Sequence, residues 1–211
     1  MITKEQYLEN FNFRHACKLF DKNKKIPKED IDFLLQIARR SPSSFGMEGW
    51  KFLVITNDDL KKQIQPYCWD QPQITTSSHL ILILAAIENL KPSSGVPLKK
   101  FQRRGLSDEQ TAKYIDVYSN HLKDTLSSDE NIYCWSARQT YIALGNITTA
   151  AAFIGIDSCP IEGFEKENIE NLLNIDQTKF QLSVILPLGY RKNEQSKQLR
   201  ADIKDIVEFI D

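Results

Sequence analysis

The sequence predicts an α+β fold, and three observations carry the prediction. Trp50 to Thr56, Leu80 to Ala86 and Gln181 to Leu188 are mostly apolar segments of strand length. Around them lie stretches with the period of a helix packed by one face, such as Ile31, Leu34, Leu35 and Ala38. One further stretch, Asn131 to Ile154, is apolar nearly all round, which marks a helix buried in a core or in a subunit interface. Such a helix is long for the centre of a 211-residue monomer, so an interface is expected.

The chain is long enough for one globular domain with a sizeable core, and 41% of it is hydrophobic. Its 27 basic and 28 acidic residues nearly cancel, so bulk charge argues for neither a nucleic-acid nor a membrane surface. The start, Met1 to Glu5, has no apolar leader pattern. The longest apolar run, Leu80 to Ile87, is far too short to cross a bilayer. A cytoplasmic protein is therefore expected. Its cysteines, Cys17, Cys68, Cys134 and Cys159, form no C-x-x-C pair, so reduced thiols and no metal site are expected. Cys17 and Cys159 lie in apolar surroundings and are most simply core residues.

In chain order, residues 1–13 are expected as a helix capped at Thr3. Alternation then places Arg14, Ala16 and Lys18 on one face of an extended segment and His15, Cys17 and Leu19 on the other. Two cations pointing one way suit an anion such as a phosphate; a solvated edge strand carries the same pattern. Pro27 opens the next helix, which ends at Arg39-Arg40. Ser41 to Trp50 is a loop that offers hydroxyls and backbone N–H groups. Asn57 or Asp58 caps a short helix, and Trp69 to Gln73 is expected as a turn. Residues 87–130 hold most of the low-hydrophobicity sequence, with one amphipathic helix from about Ser107 to Leu126. They form a flap excursion over a site, in which Phe101, Tyr114 and Tyr118 either stack on a ligand or pack ordinarily. A helix from Phe164 to Leu173 precedes the last strand. The tail, 192–211, is charged until Ile203 and then shows a short apolar face.

The stretch Cys159-Pro160-Ile161-Glu162-Gly163-Phe164 follows the long apolar helix. Pro160 cannot continue a helix, and Gly163 lets backbone approach a flat ligand without an intervening Cβ. A plain surface loop would also have this composition.

Together these stretches resemble the FMN-dependent nitroreductase family over most of the chain, and least in residues 87–130. The family's Arg-His/Arg-Ser-x-Lys-x-Phe appears as Arg14-His15-Ala16-Cys17-Lys18-Leu19-Phe20. Its Pro-Ser-Ser-x-x-x-Gln-Pro-Trp appears as Pro42 to Trp50, and its Gly-Leu-x-x-x-Pro-Ile-x-Gly-Phe as Gly155 to Phe164. A basic tail motif is echoed by Lys197 to Arg200. Four such pieces in order make the resemblance strong.

The resemblance implies a central, mostly antiparallel sheet flanked by helices, one domain over 1–211, and an intertwined homodimer with the 192–211 tail reaching the partner subunit. It implies bound FMN, with NADH or NADPH as transient electron donor and a nitro compound, quinone or related small molecule as acceptor in a ping-pong reaction. Arg14 and Arg200 would hold the phosphate, a group that suits bidentate arginine. Lys18 would approach the N1/O2 end of the ring. Ser43, Ser44 and Gly46 would come from the partner subunit. Pro160 and Ile161 would pack along the ring, and the Glu162 and Gly163 backbone N–H groups would face N5, with no side-chain nucleophile. His15, Ala16 and Lys197 belong to the same cofactor-binding set. Ala16 replaces a family serine, Gly46-Met47-Glu48-Gly49 replaces Asn-x-Gln-Pro, and Asp70 and Gln73 stand where an Asn and a Lys commonly meet the ring. Two alternatives share the fold: a specialised reductase of a pteridine, enone or halogenated aromatic, and a dimeric flavin- or ligand-binding protein without turnover.

Overall fold

The computed structural model describes residues 3–210. Helix α1, Lys4–Phe13, starts at Thr3 in a reciprocal cap: Thr3 Oγ1 accepts from the Gln6 N–H, and Gln6 Oε1 accepts from the Thr3 N–H. The expected start at residues 1 and 2 falls outside the described residues. Helix α2, Lys28–Arg39, begins after Pro27 and buries Ile31, Leu34 and Ala38, the stripe set by the sequence period.

Four antiparallel strands form one sheet in the order β1-β2-β4-β3. They are β1 Trp50–Ile55, β2 His79–Ala86, β3 Asp157–Ser158 and β4 Phe180–Gly189. β2 is covered on both faces, which is why its sequence is continuously apolar rather than alternating. Leu80, Leu82 and Leu84 share a cluster with Ile64 of α3 (Asp58–Ile64), Ile74 of α4 (Pro72–Thr76) and Ile169 of α8 (Lys166–Leu172). Ile81 and Ile83 share another with Leu34 of α2 and with Leu144, Ile147 and Ala151 of α7 (Asp129–Phe153). α7 stops where Gly155 takes a φ of +73°, a left-handed termination that glycine adopts without steric cost.

Residues 87–130 are not bare loop. They hold α5 (Val96–Gln102) and α6 (Asp108–Thr125), the latter capped by a reciprocal Ser107–Gln110 pair. Phe101, Tyr118 and Leu122 join Met47, Leu90 and Trp135 in a third apolar cluster. Phe101 and Tyr118 are fully buried, and the Tyr118 hydroxyl donates to Leu90 O at 2.5 Å, so both are packing residues rather than ligand platforms. Tyr114 is exposed and stacks on Phe101 at 5.6 Å. The excursion's low mean hydropathy reflects helices that bury one face only.

Two local expectations change. Residues 14–21, past the end of α1 at Phe13, run without regular structure and form isolated bridges, Ala16 with Ser158 and Phe20 with Arg191, rather than a strand. The alternation survives: Cys17 is buried, while Ala16 and Lys18 are exposed. Gln73, placed in a turn by the sequence, lies in α4, because Pro72 opens a helical turn there. The tail beyond Arg191 carries a single 3-10 turn, Ile203–Asp205. Among the described residues no helix is long and apolar enough to cross a membrane, and no cluster of His, Cys, Asp or Glu could hold a metal.

Candidate active site

β3 leads straight into Cys159 and the Pro160–Gly163 turn. Ile161 exchanges two hydrogen bonds with Ile185 of β4, at 2.8 and 3.1 Å, and is buried. This fixes one end of the turn against the sheet while Pro160 and Glu162 stay exposed. Three side chains hold the other end. Gln71 Nε2 donates to Gly163 O at 2.9 Å, and the Tyr141 hydroxyl donates to Glu162 Oε1 at 2.5 Å. Trp69, itself in a left-handed conformation (φ 55°), lays its ring over Gly163, where an added Cβ would sit 2.5 Å from Cζ3. An added methyl would have to push that ring aside, so the space over Gly163 that the sequence left for a flat ligand is taken by Trp69. The backbone N–H groups of Glu162 and Gly163 donate to no protein acceptor among the described residues. Two consecutive N–H groups are thus open to an acceptor from outside the protein.

Lys18 reaches the same place from the 14–21 segment. Its Nζ lies 3.7 Å from Cys159 Sγ, and Gln73 Nε2 lies 3.8 Å from the same sulfur. Gln73 Nε2 also donates to Gln71 Oε1 at 2.8 Å, so one chain of contacts runs from Lys18 through Cys159, Gln73 and Gln71 to the Gly163 carbonyl. Burial pushes the Cys159 thiol above its ordinary value, against a smaller pull from Lys18 and Gln73, so it is neutral near pH 7. Asp70, with φ 53°, is exposed one residue before Gln71, and only its backbone is engaged.

Arg14, just past α1, is brought near the tail. Gln198 Nε2 bonds Arg14 O, and Gln195 Nε2 donates to Asn12 O at 2.8 Å. Arg200 therefore leaves the chain two residues past a contact with Arg14's own backbone. Lys197 is exposed between them. Arg14, Lys18 and Arg200 have no carboxylate within 4.0 Å among the described residues. Lys18, alone of the three, lines a groove of about 200 Å³ together with His15, Ala16, Cys17, Arg191 and Glu194, among others. Buried Asp157 anchors its floor: Arg191 Nη2 is 2.6 Å and His15 Nδ1 3.7 Å from Asp157 Oδ1. Burial and then Arg191 hold His15 below the usual imidazole value, against Asp157. The Cys17 thiol is pushed up to about 11, mainly by burial.

The Ser43 loop is fastened elsewhere. Ser44 N donates to Gln139 Oε1 of α7 at 2.8 Å, and Glu48 N donates to Ser43 Oγ at 2.8 Å. Gly46 (φ 65°) packs near Arg104, whose Nη2 donates to Phe45 O at 2.7 Å. Among the described residues no hydrogen bond joins Ser43, Ser44 or Gly46 to the Pro160 turn. Sequence reasoning singled out Gln73 and Glu162 but missed Trp69, Gln71, Tyr141, Asp157, Arg191 and Gln198. Arg191 closes the last strand and Gln198 lies beside the basic tail residues; the others carry no local signal.

With this geometry in place, the chain belongs to the nitroreductase family: the family model matches residues 12–190. It is 38% identical, over 98% of both chains, to "Putative NAD(P)H nitroreductase YfkO" of Bacillus subtilis. Its fold is similar to that of a nitroreductase-like protein from Streptococcus mutans (TM-score 0.89, 18% identity, 99% and 100% of the two chains). It is also similar to the "putative nitroreductase in complex with FMN" from Exiguobacterium sibiricum (TM-score 0.81, 21% identity, 97% of each chain).

Proposed function

We propose that the protein is an FMN-dependent oxidoreductase that uses NADH or NADPH to reduce nitroaromatics, quinones or related acceptors, working as a homodimer in the cytoplasm. The observation that carries this reading is the pair of free N–H groups at Glu162 and Gly163, with the ammonium of Lys18 held on Cys159, the residue that leads into the same turn. The residues fit an anionic cofactor: cations without carboxylate partners among the described residues, two open N–H groups, and a groove beside Lys18. The names of the relatives and the FMN in the Exiguobacterium structure support it.

FMN held there would supply the two-electron chemistry, taking a hydride equivalent from the nicotinamide and passing it to the acceptor in alternate half-reactions. Arg14 and Arg200 would hold the phosphate, with His15, Ala16 and Lys197 in the same cofactor-binding set and Ser43, Ser44 and Gly46 supplied by the partner subunit. Lys18 would place positive charge near the ring, where preorganised charge is worth more than in water. Gln71, Tyr141 and Trp69 hold the turn so that its N–H groups are oriented before reaction. Asp70 and Gln73 would stand near the ring edge and bring no cation of their own. The 192–211 tail would reach the partner, and residues 87–130 would bound the acceptor side.

Purified protein should be yellow, should release FMN on denaturation, and should oxidise NADH or NADPH faster when a quinone is added. A protein that stays colourless after soaking with FMN overturns the reading. A yellow protein that oxidises neither nucleotide is a binding protein instead.

A further inference from the structure

Most lysines with a close ionic partner in this chain face a carboxylate. Lys28, Lys62, Lys91, Lys113 and Lys179 pair with Asp or Glu within 3.0 Å. The buried Lys61 is held by Ser77 O, Ser78 O and Asp58. Lys18 alone among these is held by a thiol. Its partner, Cys159, is fully buried one residue before the Pro160 turn, and it also meets Gln73. The sulfur lies 3.9 Å from Pro160 O, so it touches the turn as well.

A carboxylate here would hold Lys18 strongly and cancel its charge. An aliphatic side chain would leave the charge uncancelled but free to swing into solvent. A neutral thiol does neither: it accepts weak hydrogen bonds, so it orients the ammonium while leaving its field intact. Resting on the FMN reading above, we propose that Cys159 is a positioning residue that aims the Lys18 charge at the cofactor site without neutralising it, and so helps set the reduction potential of the bound flavin. Gln73 shares the sulfur but brings no second charge, so the effect falls on Lys18.

Two arms test this. The first uses flavin-free protein and follows thiolate absorbance on alkaline titration, with Cys159→Ser subtracted to isolate Cys159. The groups facing that sulfur are Lys18, Gln73 and the Cys17 thiol. Lys18→Met should move the Cys159 transition to higher pH; an unmoved transition overturns the pairing. The second arm measures the midpoint potential against a reference dye. Cys159→Val fills the space without accepting a hydrogen bond, and Cys159→Asp accepts but neutralises. Both should favour oxidised flavin, Asp the more, by roughly tenfold in the equilibrium, which is about 30 mV for a two-electron couple. Cys159→Ser should stay near wild type. The Val effect should vanish when Lys18 is already Met, which a packing defect would not do. If Val fails to fold, Cys159→Ala takes its place in the same cycle. A wild-type potential in Val or Ala and in Asp, at full FMN occupancy, overturns the proposal. A protein that takes up no FMN overturns the functional reading, and the titration then decides the pairing by itself.

Discussion

The Pro160–Gly163 turn and the C-terminal tail are both short, irregular and assigned to one cofactor site, yet they are built in opposite ways. The turn is held within its own chain at nearly every residue: Ile161 by the sheet, Glu162 by Tyr141, Gly163 by Gln71 and Trp69. The tail is held at Gln195 and Gln198 and then leaves its apolar side chains in solvent. Leu199 is 82%, Phe209 88% and Ile210 90% exposed. Exposed apolar residues in such number on one segment mark a surface meant to be covered. On the proposed reading, the residues assigned to the ring end are fastened within a single chain, whereas Arg200, assigned to the phosphate, stands on a segment that one chain does not bury. A second copy is the cover this account proposes, consistent with the exposed Tyr141, Ile142 and Phe153 on α7.

The largest expected effect comes from removing the unburied part. Deleting residues 199–211 should abolish dimer formation and most FMN retention, since it removes both the apolar tail and Arg200. Sedimentation and flavin content report the two losses; a truncated protein that is dimeric and fully yellow would erase the contrast between the regions. Next comes Arg14→Ala. Loss of a charge-assisted bond to phosphate should weaken FMN binding by about 1.5–3 kcal/mol, roughly 10- to 150-fold, measured by fluorescence titration. Weakening that disappears at high salt would mark Arg14 as a general attractor rather than a direct contact.

Much of the pinned region's scaffold is legible in the sequence. The caps at Thr3 and Ser107, the buried stripe of α2 and the two-faced burial of β2 depend on residues close in sequence, where periodicity and capping speak directly. The fastenings of the turn do not. Tyr141 and Glu162 are 21 residues apart, Gln71 and Gly163 92, and Lys18 and Cys159 141. No local pattern encodes such meetings, and Cys159 has the sequence surroundings of a plain core residue. Phe101 and Tyr118 show the converse: aromatic residues in a polar stretch suggest a ligand, but one-sided burial of α5 and α6 hides them. The two cations of the 13–21 segment were legible as a pair; their nearness to the tail depends on Gln198, which alternation says nothing about.

A smaller effect should follow from Gly163→Ala. The new methyl would meet the Trp69 ring at 2.5 Å, but Trp69 is 67% exposed and can swing away. A cost of about 1 kcal/mol in stability is expected, with a larger change in Trp fluorescence and in FMN binding. Unchanged fluorescence would mean that Trp69 does not brace the turn.

The smallest concerns pH. Burial and Arg191 hold His15 below 6.5 in the folded state. The unfolded chain therefore binds the proton first as pH falls, so stability is full above about 6.5 and declines below it. His79 is shifted the same way, chiefly by burial, so His15→Gln should flatten this slope without removing it. Urea midpoints at a few values between pH 5 and 8 give the slopes; identical slopes in wild type and variant would remove His15 from the linkage.

The most direct test of the contrast is sedimentation velocity of the purified protein at micromolar concentration, recorded at a protein wavelength and at the flavin band together. A ring end fastened within one chain and a phosphate end completed by two predicts that all flavin absorbance sediments with a dimer. Flavin sedimenting with a stable monomer would contradict it.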